Sequence, residues 1–137
     1  MTAEEYLSQA KHLDEIISSQ MKELEYWRKM AGSLSGMKFD GMPHSPNRST
    51  DAPFVRCIEK IDEIQRSVGE KTERLISLRE EIMSRIEMLE SSEERLLLRY
   101  RYIDGLPWRE IERVMGISKT TAHRIRASAL ENFHVPD

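Results

Sequence analysis

The sequence predicts an all-α fold: a long antiparallel helical hairpin of coiled-coil character, followed by a small three-helix domain. Three observations predict it. Apolar residues recur at alternating steps of three and four along two long stretches. A single segment rich in Gly, Pro, Ser and Asn separates those stretches. Thr-x-x-Glu and Ser-x-x-Glu signatures, which satisfy free backbone N–H groups at helix starts, open the first stretch and the region after the second.

The first helix is expected to begin at Thr2, capped with Glu5. Tyr6, Ala10, Leu13, Ile17, Leu24, Trp27, Ala31 and Leu34 form its stripe, with Gln20 as one polar interruption. It should fray near Gly32 and Gly36, since glycine is a poor helix residue. Residues 35–53 are then expected to form a loop, longer than an ordinary helix–helix connection, with Met37 and Met42 as linker positions. The second helix is expected from about Pro53 to about Leu89. Phe54, Ile61, Val68, Leu75, Ile82 and Leu89 recur every seven residues; Cys57, Ile64 and Leu78 occupy half of the matching three-residue offset, and Ile58 and Ile86 widen the stripe. These seams can pair within the chain or with a second copy. Residues 1–90 are thus expected to be a helical hairpin for oligomerisation or partner binding, and 91–137 a separate domain.

In that domain Ser91 and Glu94 form the second cap signature, ahead of a helix carrying Leu96, Leu97, Leu98, Tyr100 and Ile103. Gly105 and Pro107 mark a turn. A short helix should run from about Pro107 to Met115 and stop at Gly116. Ser118 is the natural cap of a last helix reaching about Phe133.

Bulk properties exclude several classes. The 137 residues suffice for one or two small domains. One cysteine, Cys57, precludes an internal disulfide framework and fits a reducing compartment. Apolar runs are too short to span a membrane, and the first ten residues lack a signal-peptide pattern, so a cytoplasmic protein is expected. Neither a Gly-rich phosphate loop nor a nucleophile–base signature occurs, so no enzyme and no cofactor is expected. His12, His44, His123 and His134 are scattered, so no zinc site is expected either.

Charge points to a function. The chain is acidic, with 21 Lys+Arg, 24 Asp+Glu and a formal net charge of −3. Yet residues 113–130 carry Arg113, Lys119, Arg124 and Arg126 and no carboxylate. Two helices joined by a three- to four-residue turn are a helix-turn-helix. Ile111 and Met115 would face inward from the first, Ile117 would plug the junction, and Ala122, Ile125 and Ala129 would line the second's inner face. At 100° per residue, Thr120, Arg124 and Ala127 then lie opposite, with His123, Lys119 and Thr121 beside them. A helix in the major groove lies among phosphates, which attract cations and repel carboxylates. Arg124 can donate two hydrogen bonds to guanine, Thr120 can touch a thymine methyl, and Lys119 and His123 can donate to base edges.

The stretch "ERLLLRYRYIDGLPWREIERVMGISKTTAHRIRASALENF" resembles region 4 of bacterial sigma factors, the module that reads the −35 promoter element. Together with the long helical first part and "RLLLRYRYIDG", it is similar to phage and prophage regulators of the RinA/ArpU type, which include late-gene transcription activators. The resemblance implies base-reading roles for Lys119, Thr120, His123 and Arg124, and phosphate contacts by Arg109, Ser118, Thr121 and Arg126. Pro107, Glu112 and His123 depart from the family's pattern, so −35 specificity is not expected to carry over.

The plainer readings are a solvated basic helix face, Cys57 and Trp27 as core of the hairpin, Trp108 as cover for the short helix, and Tyr100 and Tyr102 as packing. The expected partner is double-stranded DNA, with RNA polymerase or a second copy through the N-terminal helices as further candidates and no membrane. The alternatives are a coiled-coil adaptor that contacts RNA polymerase with little direct DNA binding, and a phage DNA-packaging recognition subunit.

Overall fold

Thr2 and Glu5 close a reciprocal capping box: the Thr2 N–H donates to Glu5 Oε2 at 3.2 Å and the Glu5 N–H to Thr2 Oγ1 at 3.1 Å. Helix α1 (Ala3–Met37) follows. The computed structural model describes residues 1–37 and 48–137. Within them the remaining elements are α2 (Arg48–Ile86), α3 (Ser92–Leu98) with a π-helical continuation (Arg99–Ile103), α4 (Trp108–Met115) and α5 (Lys119–Asn132). The fold is all-α among the described residues, as the apolar periodicity requires.

Two boundaries differ from expectation. The anticipated loop 35–53 is helical at both ends: α1 continues to Met37 and α2 begins at Arg48. Ala31 and Leu34 extend the apolar stripe past Gly32, and tertiary packing outweighs a propensity deficit of about 1 kcal/mol per glycine. Pro53 lies inside α2, where it forgoes one backbone hydrogen bond but keeps the helical φ its ring imposes. The centre of the expected loop, residues 38–47 with Met42 and His44, lies outside the described residues.

The chain divides into two compact units, Glu15–Glu73 and a unit formed by Met1–Asp14 with Arg74–Asp137. In Glu15–Glu73, segments of α1 and α2 run antiparallel. Gln20 meets Ser67 and Lys71, while Trp27, Met30 and Leu34, further along α1, share a groove with Pro53, Arg56 and Cys57, earlier on α2. Leu24, Ala31, Cys57 and Ile64 are buried in the seam. The polar interruption foreseen at Gln20 is a three-residue layer. Gln20 Nε2 donates to Ser67 Oγ at 3.1 Å, and Lys71 Nζ donates to Gln20 Oε1 at 3.2 Å and to Ser67 Oγ at 2.7 Å. Such a layer is satisfied in one register only, so it fixes the pairing of the two segments. Ile58, assigned to the stripe by its spacing, is instead exposed, because two helices cover only one face of each other.

The second unit holds the larger core. Leu7, Ile82, Ile86, Leu97, Leu98 and Ile111 are its fully buried large side chains. Tyr6 packs its ring 5.7 Å from that of Phe133, and α3 lies against α5. Ser91 caps α3 by accepting from the Glu94 N–H at 3.3 Å. The expected return bond from Glu94 is replaced: its buried carboxylate accepts from Ser128 Oγ at 2.5 Å and Asn132 Nδ2 at 3.3 Å, tying α3 to α5. Among the described residues no helix is long and apolar enough to cross a membrane, and no cluster of three His, Cys, Asp or Glu side chains could hold a metal ion.

Candidate nucleic-acid interface

The turn between α4 and α5 is built by two residues. Gly116 takes the left-handed conformation, φ 65° and ψ 38°, where a Cβ would crowd the following carbonyl. Its N–H donates to Arg113 O at 3.3 Å and that of Ile117 to Glu112 O at 3.0 Å. This double bond pattern is a Schellman motif, which satisfies the last carbonyls of α4. Ser118 then caps α5: its Oγ accepts from the Thr121 N–H at 3.1 Å and donates to Thr121 Oγ1 at 3.0 Å.

Inward and outward faces sort as the spacing predicts. Ile111, Ala122, Ile125 and Ala129 are buried, and Met115 and Ile117 are half-buried against the same core. Lys119, Thr120, His123, Arg124 and Ala127 are exposed. The four residues singled out as base readers therefore share one open surface at the start of α5. Among the described residues Lys119, Arg124 and Arg109 make no ion pair, whereas Arg113 is paired with Glu110 on α4. That contact holds the Glu110 carboxyl below its usual range and raises the Arg113 guanidinium. Arg113 thus adds little free positive charge to the surface.

The expected phosphate-contacting residues separate. Arg109 is exposed. Ser118 has its hydroxyl proton engaged by Thr121, while the Thr121 hydroxyl accepts that bond and keeps its own proton for another acceptor. Arg126 is not free: its Nη2 donates to Glu4 Oε1 at 2.6 Å, bridging α5 to the first turn of α1. This pairing could not be seen in the sequence, because 122 positions separate the two residues.

Trp108 organises this side of the site. Its ring lies under two guanidinium groups, Arg101 at 4.9 Å and Arg126 at 5.4 Å. Arg101 reaches it from the π-helical turn, which adds a residue to the helical register and turns Tyr102 inward. Burial pushes the Tyr102 hydroxyl above its ordinary range, with Glu4 adding to the effect and Arg126 and Arg101 opposing it. Trp108, Glu112, Lys119, Ala122, His123 and Arg126 enclose a pocket of about 110 Å³ between α4 and α5. Sequence reasoning treated Trp108 as a cover for α4 and did not assign Arg101. A Trp at the first turn of a helix flanked by arginines was the available signal.

A family model described as "Protein of unknown function (DUF1492)" matches residues 30–134. No curated protein and no solved structure matches the chain significantly.

Proposed function

From the premise that the chain belongs to the DUF1492 family, we propose that it is a sequence-specific double-stranded DNA-binding transcription regulator. The observation that carries this reading is the two-sidedness of α5. Ala122, Ile125 and Ala129 are buried, while Lys119, Thr120, His123 and Arg124 stand exposed on a stretch without carboxylates. A helix entering the major groove needs such a face, with donors to read bases and cations to offset phosphates. The start of α5, where Ser118 takes only the Thr121 N–H, adds the remaining first-turn N–H groups to that surface. In this reading Arg124 and His123 contact bases, Lys119 and Thr120 extend the contact along the groove, and Arg109 and Thr121 hold the backbone. The resemblance to phage and prophage activators makes late-gene activation the form of regulation proposed.

Arg124→Ala should weaken binding to the selected site by about 1–3 kcal/mol and relax base preference at one position. Arg109→Ala should weaken all duplexes alike and make the salt dependence shallower by about 0.9 in log–log slope. The measurement is fluorescence anisotropy on duplexes selected from host and phage DNA. Equal binding of every duplex by the parent and the Arg124 variant would sink the base-reading assignment.

A second reading, an adaptor that grips RNA polymerase, draws on exposed apolar side chains on the unit that carries α5: Met88, Leu96 and Val114. Retention of polymerase by the full chain without any shift of DNA in a gel would favour it over direct DNA binding.

A further inference from the structure

Among the described residues, Arg126 is the one cation on α5 that makes an ion pair. It lines the same pocket as Lys119 and His123, so it borders the surface proposed to meet DNA. Its side chain is 29% exposed, and its partner Glu4 is 55% exposed, so solvent and ions reach the pair. Glu4 takes Nη2 at 2.6 Å. Among the described residues, the Nε of Arg126 is buried and has no hydrogen-bond partner. A guanidinium presents donors in a fixed fork that matches a phosphate as well as a carboxylate. Arg126 is thus a phosphate-type donor set, adjoining a cationic surface, engaged by the Glu4 carboxylate and interacting with the Tyr102 hydroxyl.

We propose that the first turn of α1 is an intramolecular competitor for DNA phosphate. Glu4 occupies the Arg126 guanidinium in the free protein, and a duplex seated on α5 displaces it. The inference rests on the DNA-binding reading and adds regulation to it. Whatever fixes or releases the first turn of α1 sets how readily α5 takes up that phosphate. The capping box of Thr2 with Glu5 matters here, because it orders the turn that carries Glu4. The stack on Trp108 keeps the guanidinium plane in place when the carboxylate leaves, so release requires no refolding of α5.

The test is a double-mutant cycle on the full chain with Glu4→Gln and Arg126→Ala, read as duplex affinity against salt. An ion pair of this exposure competes weakly, so Glu4→Gln should tighten binding roughly two- to fivefold. Both complexes hold the same phosphates once Glu4 is displaced, so the log–log salt slope should change by much less than the roughly 0.9 of a whole contact, whereas Arg126→Ala removes one contact and should make it shallower by about 0.9. In the Arg126→Ala background Glu4→Gln should change neither quantity. An equal gain in both backgrounds would mean that Glu4 acts through the general field, and the competition would be ruled out. Weaker binding by Glu4→Gln would mean that the pair only positions α5, which also overturns it. Thermal melting of each variant separates loss of fold from loss of binding.

A second readout does not depend on DNA. Inorganic phosphate is titrated into the parent and Glu4→Gln chains, and the Arg126 Nε–H resonance is followed by nuclear magnetic resonance. Saturation at lower phosphate in Glu4→Gln supports the competition. Identical titrations refute it. If no duplex binds either chain, the DNA-binding reading fails, and the phosphate titration still decides whether Glu4 shields Arg126.

Discussion

Residues 15–73 and the unit of residues 1–14 with 74–137 both take segments of the same two long helices, yet they bury those segments differently. In Glu15–Glu73 the seam seals Leu24, Ala31, Cys57 and Ile64, while Trp27, Leu34, Ile61 and Val68 stay half-buried, and Met21, Tyr26, Met30, Val55 and Ile58 are exposed. In the other unit Leu7 and Ile86, which lie beside the seam, are fully buried together with Ile82. The difference teaches what a coiled-coil stripe can do alone. Two helices exclude water along one line, and only a third layer, here α3 and α5, closes the flanks. Positions that look alike by heptad spacing therefore differ in what they contribute.

The largest effect expected from this contrast is on stability. Ile111→Ala should cost about 3–4 kcal/mol, because the site has neighbours on all sides and collapses poorly. Ile64→Ala in the two-helix unit should cost about 2 kcal/mol, since solvent and flexible side chains can fill the space. Denaturant unfolding with hydrogen exchange resolved by residue reads both. Equal costs would show that Glu15–Glu73 is packed as tightly as the unit around Ile111, and the contrast would be void.

A second effect follows from how the two capped starts differ. At Thr2 and Glu5 the side chains serve only their own exposed helix start. At Ser91 the Glu94 carboxylate has turned to Ser128 and Asn132 and is buried. Glu94→Ala should therefore cost about 2 kcal/mol, since it loses charged hydrogen bonds that tie α3 to α5. Glu5→Ala should cost clearly less, about 1 kcal/mol at most. Thermal or denaturant melting compares them. A Glu94 variant no worse than the Glu5 variant would mean that the link from α3 to α5 contributes little.

Gly116→Ala should cost about 1–2 kcal/mol by forcing a Cβ into the left-handed conformation. Open space surrounds the position, so the cost is one of backbone strain alone. The loss should also appear as reduced duplex affinity, because the turn sets the angle at which α5 is presented. Unchanged stability would mean that the turn relaxes to another conformation.

These particulars show which features could be read in advance. The turn from α4 into α5 was legible because Gly116, Ile117, Ser118 and the Ala122–Ile125–Ala129 spacing are local signals, each acting within a turn or two of helix. The exposed set Lys119, Thr120, His123 and Arg124 followed from the same helical phase. Arg126 was not legible. Its phase leaves it at the edge of α5, and its partner Glu4 comes from the opposite end of the chain. Leu7 escaped for the same reason: it lies off the seam of α1 and is buried by elements distant in sequence. The extent of α2 before Pro53 runs against the local signal: a proline at the sixth helical position forgoes a backbone bond, and the rest of the long helix outweighs that loss.

The smallest effect expected is on pH dependence, and it probes the junction of α1 with the larger core. Tyr6 is buried against Phe133, and burial, with Glu81 adding to it, pushes its hydroxyl from an ordinary 10.0 up to about 12. The folded chain therefore holds this proton more tightly than the unfolded chain. The resulting stability is fully present below pH about 10 and is lost as pH rises through about 12, because the unfolded chain ionises first. Tyr6→Phe removes the titrating group and should flatten the decline in unfolding free energy across that window, while costing little near neutral pH. Denaturant midpoints measured at intervals from pH 9 to pH 12, about the ordinary range of a tyrosine hydroxyl, give the comparison. A decline of the same steepness in both chains would place the alkaline sensitivity elsewhere, with Tyr102 as the next residue to replace, since burial raises its hydroxyl as well.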